Sequence, residues 1–157
     1  MGLASHLGPW LLGTVKNTTG TTAGTIRNMG ATIVAQTATV NYNDADNTQA
    51  FVLPAGATIT AMQFITTTTF TAATTITLSI GGTAISGAAT ITTAGLNAVA
   101  SATTTAAAAL LNNVGSTDAI VTYTVAEGAS SAGAGTLVVA YIVKQSDGTY
   151  VPTASQA

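Results

Sequence analysis

Asp44 and Asp46 are the closest pair of carboxylates in this sequence, set in Asn41-Tyr42-Asn43-Asp44-Ala45-Asp46-Asn47. Two carboxylates could divide general acid and general base work between them, or supply oxygens to a hard cation such as calcium. The surrounding Asn and Asp residues give the stretch a simpler use, because their short polar side chains bond to nearby backbone and build Asx turns. As a calcium loop it lacks the glycine and the distal glutamate of an EF-hand. The only histidine, His6, stands far from every carboxylate in sequence, and no Gly-x-Ser-x-Gly elbow presents a nucleophile for it to serve. Without cysteine and with one histidine, zinc has no ligand set. Neither Gly-x-x-x-x-Gly-Lys nor Gly-x-Gly-x-x-Gly occurs to cradle a phosphate. The expectation is a protein that is not an enzyme, with no catalytic residue, no cofactor and no metal.

The rest of the composition explains why so little chemistry is present. Only 5% of the 157 residues are charged, against roughly a quarter in ordinary domains. Threonine fills about a fifth of the chain, with alanine and glycine beside it. Three basic residues, Lys16, Arg27 and Lys144, cannot supply the phosphate contacts of a nucleic-acid binder. No apolar run approaches the roughly 20 residues of a membrane span. The opening Met1-Gly2-Leu3-Ala4-Ser5-His6 has no basic n-region of a signal peptide, so synthesis in a cytoplasm is expected. Large apolar residues are thinly spread and alanine buries little area, so a thin core helped by assembly is expected.

Glycines and Pro9 interrupt the first thirty residues and oppose a helix there. Their apolar residues cluster in Leu7-Gly8-Pro9-Trp10-Leu11-Leu12, which reads as an extended arm over 1–31 carrying a contact patch. From residue 32 to 145 the pattern is β. Strands are expected over 32–40, 51–53, 58–65, 74–80, 83–86, 89–92, 118–125 and 136–143, with Gly81-Gly82 as a two-residue hairpin turn. Ala106 to Leu111 has the best helix propensity, but Thr103-Thr104-Thr105 opposes it, so at most two helical turns are expected. Residues 146–157 read as a turn and tail. Seven or eight short strands with little helix predict an all-β domain, an antiparallel β-sandwich or jelly roll.

Thr-x-Thr recurs at Thr37/Thr39, Thr58/Thr60, Thr75/Thr77, Thr90/Thr92 and Thr122/Thr124. The intervals are irregular, so no solenoid repeat underlies them. Threonine on a solvent-facing strand row accounts for the pattern. Soluble sheets usually guard their edges with Lys, other charges or Pro, and this chain has few to place. Covered edges, through self-assembly or docking on a lattice, are the expected solution.

Phe51-Val52-Leu53-Pro54-Ala55-Gly56-Ala57-Thr58-Ile59 resembles the opening of small phage head and tail surface proteins. The Ile76-Thr77-Leu78-Ser79-Ile80-Gly81-Gly82-Thr83 hairpin and the closing strands Asp118 to Thr124 and Gly135 to Ile142 resemble theirs as well. So does the arm from Gly8 to Val15. The resemblance implies a capsid decoration, or cement, protein: a β-sandwich, commonly trimeric, bound to the major capsid protein lattice on the outer surface of the virion. Leu7, Trp10, Leu11, Leu12 and Arg27 are the residues expected to contact the shell or a neighbouring subunit. A head-fibre or tail module that meets a receptor is the alternative, and a cell-surface adhesin module a further one.

Overall fold

The computed structural model describes residues 33–143. The expected arm, with Leu7, Trp10, Leu11, Leu12 and Arg27, and the expected tail lie outside the described residues. Within them the chain runs β1 (Val34–Asn41), β2 (Thr48–Leu53), β3 (Ala57–Thr68), β4 (Thr75–Ile80), β5 (Thr83–Ala84), β6 (Ala89–Thr90), β7 (Gly95–Ala98), α1 (Thr105–Asn112), β8 (Ala119–Ala126) and β9 (Ala134–Val143). Strict alternation decides which side of each strand is buried. In β4, Ile76, Leu78 and Ile80 face inward while Thr75, Thr77 and Ser79 face out. β8 and β9 repeat the pattern.

Two sheets result, in the orders β1-β9-β3-β7 and β2-β8-β4-β5, with β6 also paired to β4. Every ladder is antiparallel. The pairing is nested: β1 with β9, β2 with β8, β3 with β7, and β4 with β5 and β6. From β1 to β4 and again from β7 to β9, each strand lies in the sheet opposite its predecessor. A long hairpin rolled over on itself in this way is the jelly roll. The fold is the all-β antiparallel sandwich expected from the alternation and the glycine-marked turns.

The structure adds one strand. Gly95-Leu96-Asn97-Ala98 forms β7, pairing with Gln63 to Thr66 of β3. The expected strand over 83–86 is only two residues long, and Ile85 and Ser86 turn inward beyond it. Gly81 and Gly82 both have positive φ (56° and 80°), as the tight turn between β4 and β5 requires.

Between the sheets lie Leu53, Phe64, Phe70, Ile76, Leu78 and Leu137, all essentially without solvent contact. Phe64 and Phe70 tilt towards each other, with ring centres 6.3 Å apart. Each ring rests on a glycine: a Cβ on Gly135 would stand 2.3 Å from Phe64, and one on Gly133 would stand 2.1 Å from Phe70. The buried polar residues are bonded. Thr66 Oγ1 donates to the Ile91 carbonyl (2.7 Å), Thr74 Oγ1 donates to the Ala72 carbonyl (3.0 Å), and Ser86 Oγ accepts from Leu78 N–H (2.9 Å).

Helix α1, at eight residues, slightly exceeds the two turns expected at most. The threonine run that opposes helix supplies its start, because Thr104 Oγ1 accepts the Ala107 N–H at 3.2 Å. Its far end is held by Thr58 Oγ1, which donates to the Asn112 carbonyl at 2.6 Å.

Candidate functional site

The described residues contain four charged side chains, Asp44, Asp46, Asp118 and Glu127, and no Lys, Arg or His. None lies in a strand or in α1. All four sit in connections, and two of them hold the fold. Asp118 Oδ1 accepts the Ala55 N–H at 3.0 Å, fixing the Pro54-Ala55-Gly56 corner ahead of β3. Asp44 Oδ2 accepts both the Asn41 N–H (2.7 Å) and the Tyr123 hydroxyl (2.6 Å).

The Asp44 geometry refines the turn reading. An Asx turn would bond the side chain forward along the chain. Asp44 instead reaches back to Asn41, whose carbonyl accepts the Asp44 N–H (3.2 Å), while Thr48 Oγ1 donates to the Ala45 carbonyl (2.6 Å). The loop is thus fixed at both ends. Tyr123 is 3% exposed. Burial foremost, then the hydrogen bond to Asp44 and its charge, push the Tyr123 phenol well above the ordinary tyrosine range. It remains a neutral donor at any physiological pH. The chemistry of this pair is structural.

Asp44, Asp46 and Glu127 border an open depression at one end of the sandwich, together with Asn43, Thr124 and Gly128. No group of three His, Cys, Asp or Glu side chains among the described residues is placed to hold a metal ion.

What remains is surface. On the outer face of sheet β1-β9-β3-β7, Thr37 and Thr39 stand opposite Val138 and Thr136, and Ile65 stands opposite Leu96 of β7. Leu96 is 65% exposed and Ile65 39%. On the outer face of the other sheet, the Thr-x-Thr pairs of β4 and β8 come side by side, with Thr77 opposite Thr124. The threonine pattern is therefore a solvent-facing row at these positions, as its irregular spacing implies. Both faces are uncharged, wide and rich in Thr, Ala and Val. The outward direction of Ile65 was within reach of sequence reasoning, since Ile65 has the parity opposite to the core residues Met62 and Phe64. Leu96 was not, because the four residues of β7 carry no alternation of their own.

No protein-family model matches this sequence, and neither does any curated protein. Among solved structures the chain is similar to one from the acidic stable capsid structure of Helicobacter pylori bacteriophage KHP30, at 14% identity and a TM-score of 0.45, over 73% of this chain and 90% of that one.

Proposed function

We propose that this chain is a structural protein of a bacteriophage particle that decorates and stabilises the capsid shell by non-covalent binding, without catalysis. The observation that carries the reading is the placement of charge. Among the described residues, nine strands and a helix hold no charged residue, so neither sheet face bears the groups that keep a free domain apart from its neighbours. Two of the four carboxylates among the described residues are engaged in holding loops. A surface of this kind suits permanent contact with other protein in a crowded lattice. The sequence resemblance to phage surface proteins names the lattice.

On this reading the partners are the major capsid protein and further copies of the chain, assembled as a trimer on the outer capsid surface. Leu7, Trp10, Leu11, Leu12 and Arg27 of the N-terminal segment grip the shell or a neighbouring subunit, and the sandwich projects outward. Binding is by buried area, with aromatic and aliphatic anchors supplying most of the affinity.

The test is sedimentation of the purified chain with undecorated capsids. Stoichiometric pelleting, lost when Met1 to Gly30 are deleted, is the expected result. A chain that stays in the supernatant removes the decoration reading, and pelleting that survives the deletion removes the role of the arm.

A further inference from the structure

The strand edges are not equally protected. β7 has four residues and β5 and β6 two each, so those edges are short. β2 has a register shift between Gln49 and Phe51, and its Val52 carbonyl accepts a hydrogen bond from Gln36 Nε2 at 3.0 Å. β1 has none of these devices. It is eight residues long, pairs with β9 without a register shift, and contains no charge and no proline.

The backbone phase of β1 follows from one bond. Tyr42 N–H donates to the Gly133 carbonyl (3.0 Å), one step beyond the Asn41–Ala134 pair. Alternation along an antiparallel ladder then makes Val34, Gln36, Ala38 and Val40 the residues bonded to β9. Ala35, Thr37, Thr39 and Asn41 point their N–H and C=O groups away. Asn41 is closed off by Asp44, which takes its N–H through Oδ2 and its C=O through the backbone. Among the described residues nothing pairs with Ala35, Thr37 and Thr39 on that side, so three residues with two groups each are open to an added strand.

We propose that β1 is a two-fold contact with a second copy of this chain, the two β1 strands pairing antiparallel about Thr37. In that register Thr37 pairs with the partner's Thr37, and Ala35 with the partner's Thr39. The outward-pointing residues of one strand meet those of the other, so all six open groups of each copy are bonded in three reciprocal pairs. Gln36 faces the partner's Ala38 on the inner side, and no side chain in the contact is charged. The Asp44 loops of the two copies lie at opposite ends, roughly 26 Å apart by strand rise, well beyond the screening length of about 8 Å. A domain whose described charges are all negative can approach its copy here without repulsion. The contact joins two four-stranded sheets into one of eight, and it is independent of the capsid reading: the units joined are single chains or trimers alike.

The absence of cysteine makes the register directly testable. Thr37→Cys places two cysteines opposite each other across the two-fold, with Cα atoms about 5.5 Å apart, within disulfide reach. Thr39→Cys separates its two copies by about 13 Å of strand rise, beyond reach. Under mild oxidation the first variant is expected to form a covalent dimer and the second is not. Thr37→Lys, exposed on the outer face, sets two ammonium groups together and is expected to halve the mass seen by light scattering with the thermal midpoint of the fold kept. Equal cross-linking of both cysteine variants, cross-linking of neither, or an unchanged mass for Thr37→Lys overturns the proposal.

Discussion

The Tyr123 hydroxyl donates a 2.6 Å hydrogen bond to Asp44 Oδ2, tying the middle of β8 to the loop between β1 and β2 across 79 residues of sequence. The same oxygen holds the Asn41 N–H. The two partners are unequal, because Tyr123 is buried and Asp44 only half-buried. Asp44→Ala strands a buried hydroxyl and is expected to cost about 1–3 kcal/mol, whereas Tyr123→Phe leaves a carboxylate that water can reach and costs less. The double variant should cost less than the two single losses added but more than Tyr123→Phe alone, because the Asn41 N–H also loses its acceptor. Urea unfolding of the four proteins measures this, and strictly additive losses would show that the pair is not coupled.

The raised Tyr123 pKa has a definite sign in stability. An unfolded chain releases the phenol proton near the ordinary value of 10.0, while the folded chain holds it to higher pH. The contribution of Tyr123 is therefore whole below pH 10 and declines above it, by up to about 1.4 kcal/mol per pH unit. Thermal midpoints followed from neutral to strongly alkaline pH should fall beyond that point in the wild type. Tyr123→Phe should make the fall shallower. Parallel curves for the two proteins would mean that this phenol is not what the alkaline limit reports.

Gly135 is paired in β9 between Val40 and Thr66, where a residue with a side chain would ordinarily be the better strand former. A Cβ there would meet Phe64 at 2.3 Å and the Ile65 carbonyl at 2.5 Å. The carbonyl belongs to the central ladder of the sheet and cannot move cheaply. Gly135→Ala is expected to destabilise by about 1–3 kcal/mol, as overpacking does. Phe64→Leu, made in the Gly135→Ala background, relieves the ring contact but not the carbonyl contact, so its rescue should be partial. Full rescue would place the whole cost in the ring.

These examples mark where the sequence is legible. Alternation in β4, β8 and β9 and the Gly81-Gly82 turn announce themselves, because each is decided by residues next to one another. The order of the strands does not: β1 could pair with any uncharged strand as far as its own residues say, and its partner β9 lies about a hundred positions away. β7 escapes notice because Gly95 to Ala98 become a strand only by pairing with β3. Asp44 is visible as a turn former, yet its second bond needs the rolled-up fold to bring Tyr123 near. The charge deficit is plain in the composition. That the four charges among the described residues avoid every strand emerges only once the strand limits are known.

Helix α1 offers the last expectation, because it has little of its own to hold it. Eight residues are too few for a stable isolated helix. Ala107 is its buried residue, Leu110 and Leu111 are partly buried against the core, and the ends depend on Thr104 and Thr58. Thr104→Ala removes the N-cap acceptor at a cost of about 0.5–2 kcal/mol, while Thr104→Ser retains it. If α1 opens separately from the sandwich, hydrogen exchange of its amides should quicken by roughly 2- to 30-fold in Thr104→Ala. Amides of β8 and β9, which exchange only when the sandwich itself opens, should move less. An equal shift in helix and strands would mean that α1 unfolds with the whole domain, and that its caps stabilise the jelly roll as a single cooperative unit.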